Sequence, residues 1–209
     1  MAAGEMIEII RDTWGVPHVY AETEVGVIYG QGYAMAEDRL PTMMRAYRMA
    51  IGRMAEVYGA DWIEHDYQQR VWKHEEIARM RFKELRPFYQ ETANAFVAGV
   101  KQYMNEHPEK IPEHSLELES YYLLTLARSS AVWWVLEQAW RDFLGEWCWD
   151  AKEDWGKTYF ANQAKKMGGS NAWAVMPQRT ANNHVITLLD PHVGWSNDEL
   201  PWEGHLHGG

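Results

Sequence analysis

Cysteine is nearly missing from this chain. Cys148 is the single one in 209 residues, which excludes an internal disulfide and leaves no second thiolate for a zinc site. Long hydrophobic runs are missing too. No stretch approaches the roughly 18 apolar residues of a membrane span, and the opening "MAAGEMIEII" has no basic segment leading into an apolar one. A soluble chain without a membrane partner is expected, with a secretory signal left open. Positive charge is scarce: 20 Lys and Arg stand against 30 Asp and Glu, a formal net charge of −10. No basic cluster stands free of neighbouring acids, so a nucleic-acid partner is not expected. The chain also lacks internal repeats and a G-x-S-x-G nucleophile elbow.

What is present is a chain long enough for a sizeable core, with 46% hydrophobic residues and 12 tryptophans, more indole than core filling ordinarily uses. "MIEIIRDTWGVPHVY" reads as two short strands, Met6–Arg11 and Pro17–Tyr20, around a turn at Gly15. Leu40, Met43, Met44, Tyr47, Ile51, Met54 and Tyr58 then recur in steps of three and four, which predicts an amphipathic helix capped at Gly59, its methionines filling gaps in a core. Helical patterns follow over 72–85, 87–105, 117–127 and 131–147, with a break at "PEKIP" (108–112), and helical character persists through "KTYFANQAKKM". At Ser170 the pattern changes. "SNAWAVMP" alternates like a strand, "QRTANN" is rich in turn formers and "HVITLLD" is a second apolar run, which predicts a β-hairpin beginning at Ser170.

The junction "KKMGGSNAWAV" admits two readings. Gly-Gly-Ser is a common linker or turn. It is also a suitable place for a chain to cut itself. A serine hydroxyl needs a base, and if the bond before Ser170 is broken, the new α-amino group on the same residue can serve, since its reference pKa is about 8. Gly169, without a Cβ, tolerates the strained backbone that attack on its carbonyl requires.

In the order they occur, "IRDTWGVPHVYAET", "GQGYAMAEDRL", the Gly-Arg-x-Ala-Glu segment at Gly52, Arg53, Ala55 and Glu56, "GGSNAWAV", "DPHVGW" and "WEGHL" resemble the penicillin acylase family of N-terminal-nucleophile hydrolases. The likeness runs nearly end to end, although 83–166 matches in helical character more than in motif. It implies an α+β fold, the αββα sandwich of that family, incomplete in this chain. Residues 1–169 would be a mainly helical α-subunit part with N-terminal strands, and 170–209 the start of the β subunit, a hairpin carrying the nucleophile.

The resemblance further implies cleavage between Gly169 and Ser170 and hydrolysis of an N-acyl amide, with Ser170 as nucleophile and its own amine as base. His192, twenty-two residues after Ser170, resembles the cephalosporin, aculeacin and acyl-homoserine lactone acylase branch, where it would orient the serine; the competing reading is a turn histidine after a proline. Trp133, Trp134, Trp140 and Phe143 fall where the family lines its acyl pocket, with core packing as the alternative. No cofactor is required. One structural calcium is implied, with Glu137 as the nearest ligand, although a solvated helix glutamate fits as well.

His205 and His207 form an H-x-H pair for which packing is expected over a metal. His18, Arg11 and Asp12 read as structural. Glu37, Asp38 and Arg39 read as a helix start, with Arg39 in a helix–sheet ion pair. The family's β subunits run to several hundred residues, and its oxyanion donors and the histidine's carboxylate partner fall beyond Gly209. The expected partners are therefore an N-acyl small molecule and the remainder of the β subunit, from the same precursor or a second chain, and little amidase activity is expected of residues 1–209 alone. A truncated or partner-dependent non-catalytic chain of the same ancestry is the alternative. Family resemblance places such proteins in the periplasm or outside the cell.

Overall fold

The computed structural model describes residues 4–144, 170–191 and 201–209. The expectations for His192, for Gly168 and Gly169, and for helix over 145–167 lie outside them, as do the side chains of Trp134, Glu137, Trp140 and Phe143. The chain divides into two compact units, 1–133 with 202–209, and 134–201.

The first unit opens with β1 (Glu8–Arg11) and β2 (Pro17–Tyr20), paired antiparallel with Glu8 opposite Tyr20 and Arg11 opposite Pro17. Asp12 shapes the turn between them. Its Oδ1 accepts from the Trp14 and Val16 amides at 2.8 and 2.9 Å, while Gly15 takes a φ of +82° that favours a residue without a Cβ. β1 begins two residues later than the alternation predicted.

α1 spans Glu24–Ala50, starting sixteen residues before the Leu40 periodicity. Thr23 caps it by accepting from the Gly26 amide at 3.0 Å, and the Glu5 carboxylate in turn accepts from the Thr23 amide at 2.8 Å. The first half of this helix was hidden because Gly26, Gly30 and Gly32 stand on its buried side, and glycine argues against helix when local preference is all one has. Tertiary packing reverses the sign. A Cβ at Gly32 would strike the Phe96 carbonyl, and one at Gly99 would strike the Tyr29 carbonyl, so each helix supplies a notch for the other's backbone. The helix kinks at Arg39 (φ −147°, ψ 31°), two residues before Pro41, because proline offers no N–H to the preceding turn.

α1 ends at Ala50 rather than running to Gly59. Gly52, at φ +66°, turns the chain, and α2 (Ala55–Tyr58) follows as a separate turn. Asp66, from α3 (Ile63–Val71), caps it by accepting from the Met54 and Ala55 amides at 2.9 and 2.7 Å. α3 carries the sequence IEHDYQQRV, too polar to show a periodic stripe. Lys73, at φ 52°, separates it from α4 (His74–Phe82), so the predicted 72–85 helix is shorter at both ends.

α5 (Pro87–Glu106) matches its prediction within a residue, with proline at its first position. It packs along α1 to form the core, in which Leu40, Met44, Tyr47, Phe96, Val100 and Tyr122 are all at most 8% exposed. Met43, Met44 and Met54 are buried as the gap-filling reading expected. α6 (Tyr121–Leu144) is one helix where two were predicted. Its Arg128-Ser129-Ser130 step looks like a break, but Ser129 Oγ donates to Gln69 Oε1 at 2.8 Å and the helix continues.

In the second unit, β3 (Ser170–Val175) and β4 (Ile186–Pro191) form an antiparallel hairpin, with Ser170 opposite Pro191 and Val175 opposite Ile186. The strand begins at the residue where the sequence pattern changes. The chain then returns to the first unit, where β5 (His205–His207) adds parallel to β2 and completes the order β1-β2-β5.

Candidate functional site

Ser170 is exposed and stands at the open end of the β3–β4 hairpin, as the first residue of β3. Its neighbour Asn171 faces Asp190, and Asn171 Nδ2 donates to Asp190 Oδ2 at 3.3 Å. Pro191, the register partner of Ser170, is bonded to His192 along the chain. Six residue pairs in unbroken register hold this end, which is firmer support than a loop gives a reacting group. Of the aromatic residues assigned to an acyl pocket, Trp133 is half-buried on α6, and Trp134, Trp140 and Phe143 follow on the same helix. Glu137 belongs to that helix as well. Among the described residues no three His, Cys, Asp or Glu side chains gather as a metal cluster, and no helix is long and apolar enough to cross a membrane.

A second gathering of polar side chains lies in the first unit, where sequence reasoning assigned only structural roles. Asp12, Trp14, Val16, His18, Glu203, Gly204 and His205 line an open cleft of about 560 Å³. His18 Nδ1 lies 3.2 Å from His205 Nδ1, and His18 Nε2 lies 3.6 Å from Asp12 Oδ2. Desolvation pushes the Asp12 carboxyl up, but its hydrogen bonds from Trp14, Val16 and His18 outweigh this and hold it below the ordinary carboxylate value. The pairing of His18 with His205 spans 187 positions, and no local pattern announces it. Beside the cleft, Arg11 donates to the Gly15 carbonyl at 2.8 Å and pairs with Glu37 and Asp38 at 2.5 and 2.8 Å. Glu37 and Asp38 thus lie in the middle of α1 instead of at a helix start, and Arg11 is a cation that ties them to the sheet. Asp38 Oδ2 also accepts from Trp202 Nε1 at 2.8 Å.

A third group is buried and also went unread. Ser129, Gln69, His65 and Asp66 form a chain, with Gln69 Nε2 3.5 Å from His65 Nε2 and His65 Nδ1 3.2 Å from Asp66 Oδ1. Burial lowers the His65 pKa against the opposing pull of Asp66. With Nδ1 donating to the carboxylate and Nε2 accepting from the amide, a neutral ring satisfies both neighbours. The group joins α6, α3 and the start of α2, and opens on no described cleft.

The family model described as penicillin amidase matches residues 6–209. Penicillin acylase 2 proenzyme of Pseudomonas sp. (strain SE83) is 28% identical over 231 aligned positions, covering 89% of this chain and 30% of the relative. Penicillin G acylase of Escherichia coli is 32% identical over 50% of this chain and 13% of its own length. An acyl-homoserine lactone acylase of Pseudomonas savastanoi pv. phaseolicola is 25% identical over 95% of this chain and 29% of the relative. The chain thus spans less than a third of these relatives. Among solved structures, a thermostable penicillin G acylase from Alcaligenes faecalis shares the fold at a TM-score of 0.55 and 22% identity, over 76% of this chain and 91% of that one. The mixed helix-and-sheet architecture is common to both.

Proposed function

Because this chain belongs to the penicillin amidase family, we propose that it is the leading part of an N-acyl amide hydrolase whose nucleophile is Ser170. The observation that carries this reading is the position of Ser170 as the first residue of a registered strand, opposite the proline that precedes His192. In the first reaction Ser170 Oγ attacks the Gly169 carbonyl carbon, and the peptide nitrogen leaves as the serine's own amine, giving an ester. Water then opens the ester, freeing a Gly169 carboxylate and an N-terminal serine.

In the second reaction the free α-amino group takes the Oγ proton as Oγ attacks the substrate's amide carbon, and it gives that proton to the departing amine. Water releases the acyl group from Oγ and restores the serine. His192 orients the hydroxyl and amine, and Trp133, Trp134, Trp140 and Phe143 supply an apolar wall for the acyl chain. Penicillins and acyl-homoserine lactones, named for the relatives, define the substrate classes to try first. Residues 1–169 are the α-subunit part and 170–209 the opening of the β subunit, within an αββα sandwich that later residues complete. Loss of one oxyanion donor costs about 3–4 kcal/mol, so full activity needs that remainder. A calcium held partly by Glu137 belongs to the same reading as a structural element, and no step runs through it.

Intact mass of this chain expressed with the rest of its precursor tests the proposal. The expected outcome is a fragment beginning Ser-Asn-Ala-Trp that hydrolyses an aryl amide, with both properties lost in Ser170→Ala. Hydrolysis that survives in Ser170→Ala overturns the mechanism, and an uncut, inactive chain points to the non-catalytic alternative.

A further inference from the structure

β5 is a short edge strand, joined to β2 by three register pairs. It is three residues long, all of them exposed, with the Ala21 amide donating to the His207 carbonyl at 3.1 Å beyond the last register pair. Its side-chain ties to β2 are the packing of the Tyr20 ring against His205 and His207 and the polar His18–His205 contact, in which two ring nitrogens lie 3.2 Å apart. Two nitrogens at that distance need one proton between them. One ring must donate and the other must offer a lone pair.

We propose that His18 and His205 form an acid-sensitive clasp that holds β5 against β2 and releases it when both rings are protonated. The first proton does no harm. With one proton added, the Nδ1–H of His18, whose Nε2 lies 3.6 Å from Asp12 Oδ2, still donates to a neutral His205. The second proton removes the acceptor and sets two like charges side by side. The groups facing the pair do not cancel this. Asp12 accepts the two backbone amides on Oδ1 and meets His18 Nε2 with Oδ2, so its charge supplies no acceptor for the Nδ1–Nδ1 contact, and Glu203 is the other carboxylate of the cleft. His207, on β5 itself with its ring 6.3 Å from that of His205, adds a third imidazole, and from β2 the Tyr20 ring lies 5.9 Å from that of His205 and 5.6 Å from that of His207. From α1, Glu24 lies beside Gly209, and Asp38 holds Trp202 and is itself paired with Arg11.

The inference needs neither cleavage at Ser170 nor any catalysis. Hydrogen exchange of the whole chain tests it, with rates corrected for the intrinsic effect of pH. Between about pH 7.5 and pH 5, across the ordinary histidine range, protection of the Ala21 amide is expected to fall about tenfold or more, while that of Val100 in the core holds. In His205→Gln this pH dependence should vanish, and in His207→Gln it should persist. A native chain whose Ala21 protection does not change with pH overturns the proposal, as does a pH dependence that survives in His205→Gln or disappears in His207→Gln.

Discussion

Ser170 and Pro191 face each other at the open end of the β3–β4 hairpin. Pro191 has no N–H, so the partner strand brings no main-chain donor to that position, and the ladder closes where the proposed nucleophile begins. The hairpin register therefore sets where Ser170 sits. Ala172→Pro removes an N–H and forces a ring into the middle of β3. Its expected effect, if Ser170 acts as proposed, is at least about a tenfold drop in the Ser-Asn-Ala-Trp fragment, read by intact mass. Undiminished cleavage in this variant would show that register does not govern the site.

The α1–α5 contact should be intolerant of a single methyl group. A Cβ at Gly99 meets the Tyr29 carbonyl, and backbone cannot step aside as a flexible side chain can. Gly99→Ala is expected to lower stability by about 1–3 kcal/mol, measured as a lower urea midpoint at unchanged slope. A midpoint equal to that of the native chain contradicts the close approach.

Asp66→Ala leaves the Met54 and Ala55 amides without their carboxylate acceptor and strips His65 of its Nδ1 partner. A loss of about 2–3 kcal/mol follows from two orphaned donors in a mostly buried setting. The same denaturation experiment reads it, and a cost below about 0.5 kcal/mol would mean that water replaces the carboxylate.

His74 is 2% exposed, and burial, reinforced by the charge of Arg128, pushes its pKa down to about 4. The unfolded chain, with an ordinary histidine near 6.5, binds the proton more readily. The stabilisation is therefore fully present above about pH 6.5 and is lost as the pH falls towards 4, reaching on the order of 3 kcal/mol. His74→Leu should flatten that part of the stability profile. An equally steep acid decline in the variant assigns the effect elsewhere. Because this loss is global, it is distinct from a local release of β5.

Features set by neighbouring residues were legible in the sequence. β2 was bounded correctly by Pro17 and Tyr20, α5 within a residue, and the start of β3 at Ser170, because proline, apolar periodicity and alternation act within a few positions. What escaped was decided at a distance. The glycines of α1 look like helix breakers until α5 lies against them, and the polar α3 shows its purpose only when Asp66 meets the Met54 and Ala55 amides. Parallel pairing of β5 with β2 joins residues 187 positions apart, which no short-range pattern encodes. The segment read as a packing motif supplies the sheet's third strand, and His18, read as structural, meets His205 across it at 3.2 Å.

β5 also decides what a broken chain would do. Residues 134–201 leave the first unit through α6 and return to it through Trp202 and β5. A cut between Gly169 and Ser170 would put β2 on one fragment and β5 on the other, joined by three register pairs, the Trp202–Asp38 hydrogen bond and the two histidines. If that bond is cut as proposed, the two fragments are already paired along this edge of the sheet before they part.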